Sequence, residues 1–396
     1  MRSKSNPVFH LADAGEIAAG RTTDVYFARM LEVLEREGED PRVAVEIRAR
    51  SLPDGWPWAL LAGVEEAGTL VGSAAPEVEL RALPEGTPFR AGEPVVTVAG
   101  RYREFAALET PLLGLLCQAS GIATAAARCR VAAGERTLLS FGARRMHPAI
   151  TPMIERSAWL GGCDGVSAIA GADLLGIEPT GTMPHALVLC LGDTLRAARA
   201  FDDAFGDDTP TIVLIDTFQD EKFETLRVAE ALGDRLDGVR FDTPGSRRGD
   251  FAALLRETRW ELELRGHHAV RFYASGGIDP QTILDLNPVC DGYGVGTYIS
   301  AARTVDFSLD IVEIEGRPVA KRGKRSGRKA LLLCGACGSR TVVPAASDDS
   351  GLPCPTCGAP TRDTLRPVPD PPPPVEELRE RVLAEVAGLP LGEAPT

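Results

Sequence analysis

Two Cys-x-x-Cys pairs, Cys334/Cys337 and Cys354/Cys357, stand 16 residues apart toward the end of a 396-residue chain. Four thiolates complete a tetrahedron around zinc, and Gly335, Gly338 and Gly358 permit the tight turns that aim them at one ion. Such a closed site has no open position for a substrate, so its expected role is structural. The other five of the nine cysteines, Cys117, Cys129, Cys163, Cys190 and Cys290, are single and sit among apolar residues. They read as small hydrophobes, and an odd total is no disulfide framework.

A second set of reactive residues is spread through the middle of the chain. Arg144 and Arg145 are adjacent guanidinium forks that suit a carboxylate or a phosphate, or simply a solvated surface. His185 ends Pro179–His185, a Gly- and Pro-containing run that reads as a rigid turn. Asp216 and Asp242 could meet ribose hydroxyls, hold Mg2+ through water, or cap the next helix. Ser275-Gly276-Gly277-Ile278 and Gly294-Val295-Gly296-Thr297 are glycine turns whose main-chain N–H groups can approach an anion without a Cβ in the way. No GxxxxGK[ST] pattern occurs, and no GxGxxG opens a helix after a first strand. Nucleotide triphosphatase and dinucleotide oxidoreductase chemistry therefore lose ground.

The elements that must position these groups alternate between apolar strands and helical segments. Strands are expected at Thr137–Phe141, Cys163–Ile169, Pro179–His185, Thr211–Asp216, Gly238–Asp242, Val270–Ala274 and Tyr293–Ile299. Their spacing is that of βα units, and the polar residues fall at the strand ends, where a (β/α) barrel carries its chemistry. The expected fold is α/β: an irregular barrel of about seven strands packed on an α+β domain, plus a small C-terminal zinc ribbon. The division is 1–113 for the α+β domain, completed by 301–330; 114–300 for the barrel; 331–366 for the ribbon; and 367–396 for a proline linker and helix. In the first domain, Thr23 or Asp24 caps a helix over Val25–Glu37 whose apolar stripe is Phe27, Met30, Leu31 and Leu34. Arg42–Arg50 alternates like a half-buried strand, and shorter strands are expected at Pro84–Phe89 and Glu93–Val98. Val375–Ala387 has the period of an amphipathic helix that docks on the body or on a neighbouring subunit.

With 43 Lys and Arg against 56 Asp and Glu, the net charge is −13. An acidic surface argues against nucleic acid or an anionic membrane as the main partner. No apolar run approaches the roughly 18 residues of a membrane span, Met1–Leu11 lacks a signal-peptide core, and a cytoplasmic location is expected. One local exception is Arg317–Lys329, with seven basic residues and no acidic one. It reads as a solvated linker or as a loop that closes over an anionic substrate.

Several segments together resemble the nicotinate phosphoribosyltransferase family, in its form with a C-terminal zinc knuckle. They are Thr23–Phe27 (TDVYF), Leu108–Gly114 (LETPLLG), Ser120–Thr124 (SGIAT), Phe141–Arg145 (FGARR), Gly181–His185 (GTMPH), Val239–Asp242 (VRFD) and Gly294–Thr297 (GVGT), in family order. The resemblance implies a type II phosphoribosyltransferase fold and transfer of a phosphoribosyl group from phosphoribosyl pyrophosphate to nicotinic acid in NAD synthesis. It implies Mg2+, structural zinc, ATP as a co-substrate, and a homodimer or higher homo-oligomer with shared active sites. Residue by residue, it implies that His185 is the phosphorylated histidine and that Asp216 and Asp242 complete the catalytic set. Tyr26 of the partner subunit, Arg144, Arg145, Thr182 and Arg240 would bind substrate; Ser275, Gly276, Gly277, Gly294, Gly296 and Thr297 would bind phosphate. The related quinolinate phosphoribosyltransferase, which decarboxylates its substrate, is the alternative within the class. A non-catalytic zinc-ribbon regulator is the alternative outside it.

Overall fold

The structure, a computed structural model, describes residues 9–345 and 351–392. The first eight residues of the Met1–Leu11 reading lie outside it, as do 346–350 of the expected ribbon and 393–396 of the expected tail. The chain forms two compact units. One runs through Ile122–Ala302 and takes in the chain from Arg379; the other runs to Gly121 and resumes over Arg303–Leu378.

The first of these units is built on six strands: β1 (Thr137–Ser140), β2 (Gly165–Val166), β3 (Ile212–Leu214), β4 (Gly238–Phe241), β5 (Arg271–Ser275) and β6 (Gly292–Val295). All pair in parallel, in the order β2-β1-β6-β5-β4-β3, and the sheet curls into a half-barrel. Phe241, Phe272 and Tyr293 are fully buried on it. Pro179–His185 is not a strand. Thr180 N–H reaches the Val166 carbonyl at 2.8 Å, the next residues are irregular, and His185 opens the helix His185–Leu191. Pro179 and Pro184 bring no N–H to a ladder, which is why this run leaves the sheet. The expected strand Tyr293–Ile299 likewise stops at Val295, and Thr297–Ser300 is a helical turn.

Aspartates start the helices that return the chain to the sheet. Asp193, Asp220, Asp250 and Asp279 each accept a main-chain N–H from the first turn of the following helix: Thr194–Phe205, Glu221–Leu232, Phe251–Leu264 and Pro280–Leu286. A side-chain acceptor there satisfies donors that the helix itself cannot. Asp216 and Asp242 are therefore not caps; the residues after β3 and β4 that do this work are Asp220 and Asp250. The C-terminal helix, Val375–Val386, is held from Arg379, whose Nη2 donates to the Cys163 carbonyl and to Asp164 Oδ1, both at 3.0 Å, and whose guanidinium lies over Trp159.

The second unit carries an antiparallel sheet in the order Arg317–Pro318, Phe307–Ile314, Arg42–Ala49, Val96–Arg101, Glu79–Ala82, Arg366–Pro367. The helix Val25–Glu37 has the expected bounds and ends on Gly38 at φ 68°. Asp24 is its N-cap residue but makes no capping bond; its carboxylate accepts from Thr110 Oγ1 at 3.0 Å. The shorter strands begin later than expected, at Pro88–Phe89 and Val96–Arg101. Arg42–Ala49 is not half-buried, since Glu46 is only 1% exposed. Lys329 Nζ meets Glu46 Oε2 at 2.8 Å, and Arg48 Nε lies 3.3 Å from Glu46 Oε1. The alternation in sequence thus marks a charged face that is covered.

The same pairing corrects the reading of Arg317–Lys329 as a closing loop. Lys321 and Lys324 both meet the buried Asp310, at 3.0 and 2.6 Å, and Arg328 meets Glu313 at 2.9 Å. Its charges are largely spent on the sheet beneath. One helical stretch, Tyr102–Ala133, is long and apolar enough to cross a membrane, with a mean hydropathy of 1.3, but 72% of its most apolar window is buried inside the protein. That burial is the mark of a core helix.

Candidate active site

The C-terminal ends of β3, β4 and β5 converge on His185. Its Nε2 lies 3.4 Å from Asp242 Oδ2 and 3.9 Å from Asp216 Oδ1, while Nδ1 shares a hydrogen bond of 3.1 Å with Thr217 Oγ1. Ser275 Oγ, at the end of β5, donates to Asp242 Oδ1 at 2.7 Å. Both ring nitrogens are thus oriented, and the imidazole remains partly open to solvent, with 39% of the side chain exposed. An oriented, reachable imidazole flanked by carboxylates can accept and release a phosphoryl group or a proton.

The carboxylates differ. Asp216 has 3% of its side chain exposed against 28% for Asp242. Burial holds the Asp216 carboxyl above the usual carboxylate range, with Asp242 adding to the rise and His185 and Arg240 opposing it. Arg240, on β4, is pulled below the usual arginine range by its own burial. Its guanidinium lies 5.7 Å from the Phe141 ring centre, and Nη2 donates to the Met183 carbonyl at 3.3 Å. Asp216 Oδ1 and Arg240 Nε are buried with no hydrogen-bond partner among the described residues. A buried acceptor and a buried donor left over at one strand-end rim are the atoms a polar ligand would satisfy.

Glycines form the adjoining rim. Gly276 and Gly277 have φ of 76° and 69°, which excludes ordinary side chains. A Cβ on Gly294 would strike the Phe141 ring at 2.4 Å, so the end of β6 can lie against β1 only as glycine. Gly296 and Thr297 follow at the start of the short helical turn. Arg144 and Arg145 occupy the turn after β1, exposed; the Arg145 N–H donates to the Gly142 carbonyl at 3.0 Å, while the two guanidinium groups make no ion pair or hydrogen bond among the described residues. Thr182 lies half-buried just before His185, its hydroxyl 3.5 Å from the Met183 carbonyl.

The sequence reading missed Thr217 and Arg248. Thr217 follows Asp216, so its signal was the strand end itself. Arg248 lies in an adjacent arginine pair shortly after a strand end, the feature that singled out Arg144 and Arg145.

Tyr26 and the cysteines belong to the other unit. Tyr26 is 58% exposed, with its ring centre 4.4 Å from that of Phe27. The four Sγ atoms lie within 4.8 Å of one another. Three of the pairs, 334/357, 337/354 and 337/357, are separated by 3.5, 3.6 and 3.4 Å. A tetrahedron with Zn–S of ~2.3 Å has edges of about 3.8 Å, so the cluster has nearly the size that zinc requires. Each pair sits in the same turn: Gly338 N–H donates to the Cys334 carbonyl at 3.0 Å, and Gly358 N–H to that of Cys354 at 2.8 Å.

Comparison with known proteins gives this arrangement its class. The family model for quinolinate phosphoribosyl transferases matches in both its parts, the N-terminal domain over residues 24–120 and the C-terminal domain over 122–310. The fold is thus that of a phosphoribosyltransferase. Nicotinate phosphoribosyltransferase pncB1 of Mycobacterium tuberculosis is 31% identical over 357 residues, covering 79% of this chain and 78% of that protein. The Bacillus subtilis nicotinate phosphoribosyltransferase is 28% identical, covering 75% and 68%. The chain belongs to the nicotinate phosphoribosyltransferase family, a family of pentosyltransferases. Among solved structures, the nicotinate-nucleotide pyrophosphorylase of Pyrococcus furiosus is similar, with 46% identity, a TM-score of 0.92, and 97% of this chain and 100% of that one covered. Human nicotinic acid phosphoribosyltransferase shares the fold at a TM-score of 0.70 and 22% identity, over 92% and 93%.

Proposed function

We propose that this chain joins nicotinic acid to phosphoribosyl pyrophosphate, forming nicotinate mononucleotide and pyrophosphate in NAD synthesis, with ATP hydrolysis coupled through His185. The observation that carries the reading is the caging of His185 by Thr217, Asp216 and Asp242 beside two glycine turns. The pyridine nitrogen is unprotonated at neutral pH, so the reaction needs no general base. It needs alignment, and stabilisation of positive charge on the ribose and negative charge on the leaving group.

Asp216 and Asp242 meet the first need at the ribose. Arg240, Thr182, Arg144 and Arg145 bind the nicotinate carboxylate and neighbouring anionic groups, and Ser275, Gly276, Gly277, Gly294, Gly296 and Thr297 hold the phosphate. Tyr26 stacks on the pyridine ring from the partner subunit of a homodimer or larger homo-oligomer. The two carboxylates are hard oxygen donors that fit Mg2+, which when bound neutralises pyrophosphate charge. The functional division is that read from the sequence, at 113/114, 300/301, 330/331 and 366/367. The enzyme works in the cytoplasm, on small anionic substrates and without nucleic acid or membrane.

Nicotinate mononucleotide is the expected product from nicotinic acid, phosphoribosyl pyrophosphate and Mg2+, at a rate that rises with ATP. No product from either nicotinic or quinolinic acid would overturn the proposal. Labelled ATP is expected to leave an acid-labile phosphate on the protein, absent from His185→Ala. A second reading, quinolinate phosphoribosyltransferase, is favoured by the name of the matching family model and by two adjacent free arginines able to take two carboxylates. Product from quinolinate alone, with release of carbon dioxide, would select it.

Zinc is the metal proposed for Cys334, Cys337, Cys354 and Cys357, held as four thiolates for a structural purpose. Elemental analysis is expected to find about one zinc per chain. Cys354→Ser is expected to lose the metal and lower the thermal midpoint, because binding energy at such a site is folding energy.

A further inference from the structure

Arg248 belongs to a short helical turn after β4, Gly245–Arg248, and has no part in the chemistry above. Its guanidinium is spent on three main-chain carbonyls. Nε donates to Thr243 at 2.6 Å; Nη2 donates to Ser275 at 2.5 Å and also to Gly276. The Phe251 ring backs the guanidinium at 4.6 Å. A Cβ on Gly276 would stand 3.0 Å from Asp242 Oδ1 and 3.2 Å from Arg248 Nη2, so the turn is closely packed on this side.

The consequence follows from the planarity of the peptide group. In a trans peptide the C=O and the following N–H point in opposite directions. An arginine that draws the Ser275 and Gly276 carbonyls to one side therefore turns the N–H groups of Gly276 and Gly277 to the other. Neither N–H makes a hydrogen bond among the described residues. Successive main-chain N–H groups left free in such a turn form an anion-binding concavity. Ordering it costs entropy, which two glycines with positive φ would otherwise pay at the moment of binding.

We propose that Arg248 is a positioning residue for the phosphate: by locking the carbonyl side of the Ser275–Gly277 turn, it presents the Gly276 and Gly277 N–H groups to the 5′-phosphate of the ribosyl donor. The inference rests on the reading of this turn as part of the phosphate cradle. Lysine cannot replace the fork, because a single ammonium does not span carbonyls on two strands in a fixed plane.

The test measures binding of ribose 5-phosphate by calorimetry and the KM for each substrate. Arg248→Ala is expected to raise the dissociation constant for ribose 5-phosphate and the KM for phosphoribosyl pyrophosphate at least tenfold. The KM for nicotinic acid should stay within twofold, and millimolar guanidinium should restore part of the loss. Arg248→Lys should recover less than half of the lost affinity on a logarithmic scale, and it serves as the test if Arg248→Ala does not fold. Equal losses for both substrates, or a lowered thermal midpoint with unchanged ribose 5-phosphate affinity, would overturn the proposal. Gly277→Ala separates the two levels. If it weakens ribose 5-phosphate binding and Arg248→Ala does not, the role of Arg248 falls alone; if neither does, the cradle reading falls with it.

Discussion

Asp242→Ala is expected to lower kcat/KM for phosphoribosyl pyrophosphate by about 10²–10³-fold, the usual cost of removing one preorganised electrostatic group from a transition state. Asp242 is held from both sides, by Ser275 Oγ at 2.7 Å and by His185 Nε2 at 3.4 Å, so its carboxylate is oriented before substrate arrives. With 28% of its side chain exposed, Asp242 is not itself a buried charge, and Asp216 still faces the buried Arg240 guanidinium after its loss. The unfolding midpoint should barely move. Comparison with His185→Ala makes the role specific. If Asp242 served only to orient the imidazole, both variants would lose the ATP-stimulated rate and keep the ATP-independent one. Placement at the ribose predicts instead that Asp242→Ala loses both rates, and steady-state kinetics with and without ATP separates the cases.

Lys329→Met should destabilise the antiparallel unit by about 3–5 kcal/mol, because it takes the nearer of two cations from a buried carboxylate. Lys329 Nζ lies 2.8 Å from Glu46 Oε2, with 9% and 2% of the two side chains exposed. The ammonium also donates to the Arg325 and Gly327 carbonyls, both at 3.0 Å, so the chain entering the ribbon loses its anchor too. Arg48 Nε, 3.3 Å from the other oxygen of Glu46, offsets part of the loss and points to the lower end of the range. Urea unfolding should show a lower midpoint with an unchanged slope. The double variant Glu46→Leu/Lys329→Met should recover most of it, since removing both partners costs far less than orphaning one. A double variant as unstable as the single one would show that Lys329 acts through its carbonyl contacts instead. The same bonds explain why a segment with seven basic residues is no free anion trap.

What was readable beforehand follows the range of the interactions involved. The helix Val25–Glu37 was readable to the residue because its apolar spacing repeats within each turn. Six of the seven expected strands were readable because apolar runs and turn residues sit side by side in the chain. Pro179–His185 failed because its composition suits a rigid turn, and the regular spacing of strands outweighed that local signal. Arg42–Ala49 was readable as a strand but not in its burial, since Lys329 lies 283 residues from Glu46.

The reactive set divides the same way. Residue types and spacing determined the four-cysteine cluster, the glycine turns, and the placing of His185, Asp216 and Asp242 at the ends of predicted elements, because turn geometry and ligand spacing are local properties. Only the tertiary structure decided that Asp220 and Asp250 cap while Asp216 and Asp242 face the imidazole, that Thr217 orients it, and that Arg248 reaches across to β5. Those contacts arise when strands distant in sequence become neighbours in a parallel sheet, and the order of those strands is set by packing of the whole unit rather than by any window of residues.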